Sequence, residues 1–208
     1  FHQRFNVDVR TESEVTAVDT AGKTVTVRHG EETYKESYDR LVLSPGAAPI
    51  RPAIPGIEEN KVFTLRNIPD TYRIYDHIKE TAPRSCAVIG AGFIGLEMAE
   101  NLAERGVHVT VVEGASHVMP PIDMDMAHQV HNYIRAQGID LYLGQTCTAM
   151  DKDGVILKDG RKIPADMVIL SIGVRPDTGF LKDSGIELGA RGEILVNSYM
   201  ETSAPDVY

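Results

Sequence analysis

Apolar residues change their spacing twice in the middle of the chain, between residues 86 and 113. A short apolar run at 87–89 predicts a buried strand. Leucine and alanine residues three and four positions apart then predict a helix over 94–105, and Gly106 suits the end of that helix. The β-branched residues of 107–112 predict a second strand. The order strand, helix, strand indicates a βαβ unit.

Three glycines, Gly90, Gly92 and Gly95, follow directly after the first strand in the order G-x-G-x-x-G. In a dinucleotide site the first permits a tight turn, the second lets a pyrophosphate approach the backbone, and the third lets the helix pack against the strand. The free N–H groups at the start of the helix attract phosphate. Because strand, turn and helix occur in this order, the sequence predicts a dinucleotide site.

An acidic residue, Glu113, ends the second strand of this unit. A carboxylate at that position can accept hydrogen bonds from the hydroxyls of the adenosine ribose, and its charge would repel a 2′-phosphate. The next three residues, Gly114 to Ser116, supply no cation for such a phosphate. The sequence therefore favours NAD(H) over NADP(H) as the ligand.

A second pattern occurs twice along the chain. Residues 39–46 and 166–173 share Asp, Leu, Ser and Gly at the same four positions, with aliphatic residues between them. Alternating residues joined by turns precede each copy, which predicts two β-meanders that each lead into an apolar strand. The predicted meander strands are 15–19 and 25–28 before the first copy, and 146–150 and 155–157 before the second. The chain thus has two endings of a nucleotide domain but one beginning, and we expect it to be an internal fragment of a longer protein.

These patterns predict the α/β class, with one Rossmann-like three-layer domain, a β-meander and part of a second domain. Residues 1–49 are expected to end a first nucleotide domain, 50–82 to be a connector, 83–200 to be the complete domain, and 201–208 to return to the first. The remaining predicted elements are helices at about 70–80 and at 123–137 and a strand at 139–143.

Composition excludes several kinds of partner. The 208 residues carry a net charge of −9 with no basic cluster, so nucleic acid is not an expected partner. No apolar stretch approaches the length of about 18 residues that suggests a membrane span. Two cysteines, Cys86 and Cys147, do not make a disulfide framework, and we interpret both as small core residues. A cytoplasmic location is expected.

Two further groupings could carry chemistry. His128 and His131 are three residues apart on a predicted helix, which would allow both to ligate a metal, but the spacing supplies no third ligand. Tyr75 and Lys79 have the Y-x-x-x-K spacing of short-chain dehydrogenases, yet they precede the glycine turn instead of following it. We interpret both pairs as helix surface.

The motifs SPGA-x-P (44–49), FTLRN-x-PD (63–70), GAGFIGLEMAENL (90–102), VTVVE (109–113) and SIGVRP-x-T (171–178) occur in one order. Because of these motifs and their order, the chain resembles the flavin- and pyridine-nucleotide-dependent disulfide reductases. Within them it is most similar to the branch of coenzyme A-disulfide reductases, NADH oxidases and NADH-dependent persulfide reductases. That family inserts an NAD domain into an FAD domain, which would account for the repeated ending.

The resemblance implies sites for two cofactors, NAD(H) and FAD. It places Phe93 where an aromatic residue covers the nicotinamide side of the flavin, Glu97 where an acid faces the nicotinamide, and Gly173 in the loop that lets the nicotinamide approach. The implied NAD residues are Gly90, Gly92, Phe93, Ile94, Gly95, Glu97, Glu113 and Gly173, and the implied FAD residues are Val15, Ser44, Pro45 and Gly46.

The resemblance also implies the activity of a whole enzyme, in which NADH passes hydride to FAD and the electrons continue to a disulfide, persulfide or oxygen-type acceptor. The family's FAD-binding G-x-G-x-x-G, its redox-active cysteine and its dimer domain have no counterpart in these 208 residues. We therefore expect the chain alone to be inactive and the whole protein to be a homodimer. The alternatives are a flavin reductase module of the ferredoxin or nitrite reductase type and a non-catalytic NADH-sensing module.

Overall fold

The computed structural model describes residues 2–58 and 61–208. Two compact units make up the chain. Unit 1 takes in Phe1–Ala48 and Arg175–Tyr208, and unit 2 is Pro49–Val174. The segment boundaries predicted from the sequence lie elsewhere, at 49/50, 82/83 and 200/201. Residues 1, 59 and 60, which belong to the predicted first segment and connector, lie outside the described residues.

Both units are built mainly from short strands. In chain order the strands are β1 Ser13–Asp19, β2 Thr24–His29, β3 Glu32–Ser37, β4 Ala47–Pro49, β5 Val62–Phe63, β6 Ser85–Ile89, β7 His108–Glu113, β8 Asp140–Leu143, β9 Cys147–Asp151, β10 Gly154–Leu157, β11 Lys162–Pro164, β12 Met167–Leu170 and β13 Val174–Pro176. The helices are α1 His2–Phe5, α2 Ile68–Thr81, α3 Phe93–Glu104 and α4 Met124–Ala136, with a 3₁₀ turn at Gly179–Leu181.

A parallel sheet of five strands, in the order β5-β12-β6-β7-β8, forms the centre of unit 2. Its central strands are almost continuously apolar because helices cover one face and the antiparallel sheet β11-β10-β9 covers the other. Val88 and Ile169 pack with Leu102 of α3 on the helix side, whereas Ala87 and Val168 pack on the meander side. The predicted α/β class, with a three-layer nucleotide-domain fold and a β-meander, is confirmed.

The helices of unit 2 begin and end within two residues of their predicted bounds. A capping box fixes the start of α2, where the side chain of Asn67 accepts from the N–H of Asp70 and the carboxylate of Asp70 accepts from the N–H of Asn67. By contrast, the N-cap residue of α3 is Gly92, which has no side chain to accept a capping hydrogen bond. The start of α3 therefore keeps donors that a ligand could use.

Unit 1 contains the antiparallel meander β1-β2-β3, with a bulge between Val15 and Ala17. Val18, Val25 and Val27 of the meander pack with apolar residues of the returning segment 181–207. The four-residue helix α1 was not predicted, since the first 49 residues were expected to be mostly strand. Among the described residues, no helix combines the length and the apolar character that crossing a membrane requires.

The predicted apolar strand of the first repeat, within 39–46, is wrong. Leu41 forms a single parallel bridge with Val207, and Leu43 N donates to the carbonyl oxygen of Tyr208 at 2.7 Å. Val42 is 73% exposed. The segment has a partner on one edge within unit 1, at 206–208, and a single short partner does not complete a ladder of strand hydrogen bonds.

Candidate functional site

The turn between β6 and α3 requires glycine at two positions for reasons internal to the protein. Gly90 has φ +102°, and a Cβ there would lie 2.5 Å from the carbonyl oxygen of Ser171. A Cβ on Gly95 would lie 2.0 Å from the carbonyl oxygen of Gly90 and 2.5 Å from Ser171 Oγ. Both positions are closed to any larger residue because backbone atoms stand where the side chain would go.

Gly92 differs from its two neighbours. Its φ of −77° and ψ of −175° are open to any residue. Apart from its two chain neighbours, no heavy atom of the residues that the structure describes lies within 4 Å of the position that a Cβ would occupy. Neither its conformation nor the packing of these residues demands glycine there, whereas a ligand lying against the backbone would.

The carboxylate of Glu113 joins the glycine turn to the loop after β7. Oε2 accepts a hydrogen bond from Ala91 N and Oε1 accepts one from Ala115 N, both at 2.7 Å. Met119 N, further along the same loop, donates to the carbonyl oxygen of Ala91 at 2.9 Å. A carboxylate has about four acceptor sites, so each oxygen can still accept from a ligand hydroxyl.

A cleft of about 570 Å³ opens at the carboxyl ends of β6, β7 and β12. This is where open parallel sheets bind nucleotides. Four of the predicted NAD residues line it, namely Gly90, Gly92, Glu113 and Gly173. The other lining residues are Pro52, Ile54, Ile89, Val112, Gly114, Pro120, Gln145, Thr146, Cys147, Ser171 and Ile172.

The remaining predicted NAD residues lie on α3 and do not line this cleft. Phe93 and Ile94 are 62% and 45% exposed at the start of the helix, whereas Gly95 is buried beneath the turn. Glu97 lines a separate groove of about 310 Å³ that also contains Tyr75 and Met98. The structure thus separates Glu97 from the residues of the cleft.

Unit 1 contains a larger cleft, of about 740 Å³, lined by three of the four predicted FAD residues, Val15, Ser44 and Pro45. The fourth, Gly46, follows directly, with φ +72° and a carbonyl oxygen that accepts from Asp177 N at 3.1 Å. Val42, also at this cleft, leaves most of its apolar side chain in solvent. An open cleft with exposed aliphatic walls suits a flat, partly apolar ligand.

Sequence reasoning missed the role of Ser171. Its hydroxyl lies 3.1 Å from the carbonyl oxygen of Ile89 and 2.9 Å from that of Gly90, so it fixes the end of β6 to the end of β12. The repeated Ser-x-Gly pattern identified the residue, but its partners become visible only in the fold. Gln145 was also missed, and within the described part of the chain its buried Oε1 has no hydrogen-bond partner.

The two cysteines lack the features of reactive thiols. Cys86 is 1% exposed, and burial raises its pKa to about 12. Cys147 is partly buried, its pKa is also raised by burial, and its Sγ lies 3.3 Å from the carbonyl oxygen of Ala149. A thiol attacks as its thiolate, which both environments disfavour.

The other two candidate groups lie on helices. The rings of His128 and His131 are 5.6 Å apart between centroids. In the described ranges no cluster of three or more His, Cys, Asp or Glu residues could hold a metal ion. Tyr75 is 53% exposed and lies with Lys79 on α2.

The parallel sheet with a glycine turn and a cleft at its carboxyl edge is typical of dinucleotide-binding proteins, and comparison with known proteins gives the family. The profile described as "Pyridine nucleotide-disulphide oxidoreductase" matches residues 2–208. The chain belongs to this family of oxidoreductases, whose members bind FAD and NAD(P)H.

Individual relatives match along the whole chain. A coenzyme A disulfide reductase from Staphylococcus aureus is 36% identical over 210 residues, which cover 100% of this chain and 47% of the relative. The crystal structure of reduced CoADR-RHD from Bacillus anthracis is 49% identical with a TM-score of 0.94, covering 100% of this chain and 38% of that one. An NAD-dependent persulfide reductase from A. fulgidus is 34% identical with a TM-score of 0.92, covering 100% and 39%. The chain therefore spans about half the length, or less, of the relatives it matches.

Proposed function

We propose that unit 2 binds NAD(H) in the cleft at the ends of β6, β7 and β12. The observation that carries the proposal is the contrast among the three glycines of the turn. Gly90 and Gly95 are required by contacts within the chain, whereas no contact among the described residues requires glycine at position 92, where its small size leaves the backbone open to a ligand. A pyrophosphate beside Gly92 would meet the uncapped start of α3, where N–H groups and the helix dipole favour negative charge.

Glu113 sets the proposed preference for NADH over NADPH. Two backbone N–H groups hold its carboxylate in place at the cleft, so the charge cannot turn away from a bound ribose. A 2′-phosphate there would face that carboxylate, and Gly114, Ala115 and Ser116 offer it no cation. The persulfide reductase relative from A. fulgidus is NAD-dependent, which agrees with this choice.

We extend the proposal to unit 1, where Val15, Ser44, Pro45 and Gly46 would contribute to an FAD site. In domain terms, we assign unit 2, Pro49–Val174, to the NAD domain, and unit 1, which includes the returning segment 175–208, to an FAD domain. When bound, NADH and FAD supply hydride transfer between nicotinamide and flavin. The contribution of this chain is to bind and orient the two groups.

The whole protein, on this account, is an FAD-dependent homodimer that uses NADH to reduce a disulfide, a persulfide or an oxygen-type acceptor. The 208 residues alone bind NADH without reducing such an acceptor. For the sulfur acceptors this is supported by the environments of Cys86 and Cys147, because burial raises the pKa of both thiols and so disfavours the thiolate that disulfide exchange needs. The relatives named above include a disulfide reductase and a persulfide reductase, which supports this range of acceptors.

Calorimetric titration of the chain with NADH and with NADPH tests the proposal. We expect saturable NADH binding and an NADPH affinity at least about tenfold weaker, a difference of roughly 1.4 kcal/mol. The variant Glu113→Gln should narrow this gap because it removes the charge but keeps an acceptor. Glu104→Gln makes the same charge change on the exposed surface of α3 and should leave the gap unchanged.

The result that would contradict the proposal is a folded chain that binds neither nucleotide. Equal affinity for the two nucleotides would leave the cleft as the site but remove Glu113 as the selecting residue. Reduction of a disulfide by this chain with added NADH and FAD would contradict the proposed inactivity.

A further inference from the structure

A buried imidazole supports the loop that follows Glu113. His131, on the inner face of α4, is 3% exposed. Its Nε2 accepts a hydrogen bond of 3.2 Å from the backbone N–H of Val118, a residue with no exposed surface. A backbone N–H can only donate, so Nε2 carries no proton and the imidazole is neutral, with its proton on Nδ1.

From Val118 the contacts continue directly to the proposed nucleotide site. The next residue, Met119, donates from its N–H to the carbonyl oxygen of Ala91 at 2.9 Å. Ala91 lies between two glycines of the turn, and its own N–H donates to Glu113. A displacement of the loop at Val118 would therefore change the position of the turn that faces the cleft.

The loop needs such support because its backbone is strained. Met119 has φ +50°, in the left-handed region that residues with a Cβ rarely adopt. A residue keeps this conformation only when its surroundings hold it there. The bonds on either side, from Val118 to His131 and from Met119 to Ala91, are the contacts that hold it.

We infer that His131 is a positioning residue for the dinucleotide, whose neutral imidazole holds the loop 114–123 against the glycine turn and whose protonation releases the loop and weakens binding. The inference rests on the proposed NAD(H) site and adds pH control to it. In the protonated ring both nitrogens donate, so Nε2–H would point at Val118 N–H and the bond would become a repulsion.

The surroundings of His131 place this change below neutral pH. Burial lowers its pKa from the ordinary value of 6.5, and the nearby Arg135, His128 and His117 lower it further. His117 lies in the loop itself, with Nδ1 2.8 Å from the carbonyl oxygen of Val118. Because the folded-state pKa lies below the unfolded value, the neutral form prevails above about pH 6.5 and is lost as the pH falls through the lowered value.

Acidic groups on the elements packed against α4 have other partners. Asp140, at the start of β8, lies 3.1 Å from His108 Nε2. Glu100 of α3 accepts from the hydroxyl of Tyr133 at 3.4 Å. These carboxylates therefore do not pair with the imidazole of His131, whereas the nearby guanidinium of Arg135 favours its neutral form.

The test measures the affinity of the chain for NAD⁺, the acid-stable form of the cofactor, by calorimetry from about pH 5.5 to pH 8. We expect the wild-type affinity to fall at least about fivefold toward the acid end. His131→Gln keeps an acceptor and takes up no proton, so its affinity should stay near the wild-type value at pH 8 throughout. His131→Leu has no acceptor and should bind weakly at every pH.

His128→Gln is the matched control, because it removes an exposed imidazole one helical turn away that holds no loop bond. It should keep the pH dependence, with a midpoint shifted upward since one cation near His131 is gone. Thermal unfolding of each variant checks the fold. If His131→Leu does not fold, the comparison of wild type with His131→Gln still decides.

The same loss of affinity in wild type and His131→Gln would overturn the inference while leaving the NAD(H) site intact. A wild-type affinity for NAD⁺ that stays constant from about pH 5.5 to pH 8 would also overturn the inference and leave the NAD(H) site intact. A folded chain that does not bind NAD⁺ at any pH would overturn both this inference and the proposed function.

Discussion

The two copies of the pattern Asp-x-x-x-Leu-Ser-x-Gly form different structures in the two units. In unit 2 the copy forms β12, which lies between β5 and β6, with each of its four residues at most 2% exposed. In unit 1 the copy forms a single bridge through Leu41, and Val42 is 73% exposed. Similar sequence thus produces a central strand in one unit and an irregular segment in the other.

The two copies differ in the partners that they meet among the described residues, as their polar ends show. Asp166 Oδ2 accepts from Arg84 N, Ser85 N and Ser85 Oγ, at 2.8 to 3.0 Å. Ser171 bonds the other end of the same strand, β6. Across the part of the chain that the structure describes, Asp39 and Ser44 make no comparable hydrogen bonds. The pattern therefore forms a strand where a neighbouring strand can hydrogen-bond to both its aspartate and its serine.

The largest expected effect comes from truncating the middle of each copy. Ile169→Ala should lower the free energy of unfolding by about 2–5 kcal/mol, because it leaves a cavity in a fully buried strand. Val42→Ala should change it by less than about 0.5 kcal/mol, because the side chain is mostly in solvent. Urea unfolding followed by circular dichroism measures both. Equal losses in the two variants would mean that the two copies are equally buried in solution.

A smaller difference is expected at the aspartates. Asp166→Ala should lower the free energy of unfolding by roughly 1–2 kcal/mol. This is less than the usual value for charged hydrogen bonds because the residue is partly exposed. Asp39→Ala should leave the free energy of unfolding almost unchanged.

The aspartate comparison also has a pH dependence. Hydrogen bonds from Arg84 and Ser85 lower the pKa of Asp166 below its usual value of 3.8. The stabilisation is therefore present above about pH 4 and is lost as the pH falls through the lowered folded-state value. Unfolding curves at neutral and acid pH measure this. A cost for Asp166→Ala that persists at low pH would show that the carboxylate charge is not what stabilises the strand.

Much of unit 2 could be predicted because its signals are local. The β6–α3–β7 unit follows from apolar spacing and three glycines, and the structure starts and ends these elements within two residues of prediction. The irregular segment at 41–43 could not be predicted, because a strand depends on partners distant in sequence. The same holds for His131, which a helical pattern marks as a surface residue and which the fold brings to Val118.

The placement of site residues shows the same limit. A motif with fixed internal geometry puts Gly90, Gly92 and Glu113 at one cleft. Resemblance added Glu97 to that set, and in the structure this residue lines another groove. Ser171 was visible as part of a repeat, yet its two carbonyl partners, Ile89 at the end of β6 and Gly90 directly after it, are far away in the chain.

The central claim is that glycine at position 92 lets the pyrophosphate of a dinucleotide lie against the backbone. The variant Gly92→Ala tests this claim most directly. Its unfolding midpoint should fall only slightly, since alanine is a poorer N-cap than glycine but no heavy atom of the described residues beyond the two chain neighbours lies within 4 Å of the added methyl group. Its affinity for NADH by calorimetry should fall at least about tenfold, because the methyl group would occupy the space of the pyrophosphate. Gly179→Ala, at an equally open glycine of unit 1, should leave NADH binding unchanged. A folded Gly92→Ala chain that binds NADH as tightly as the wild type would contradict the account.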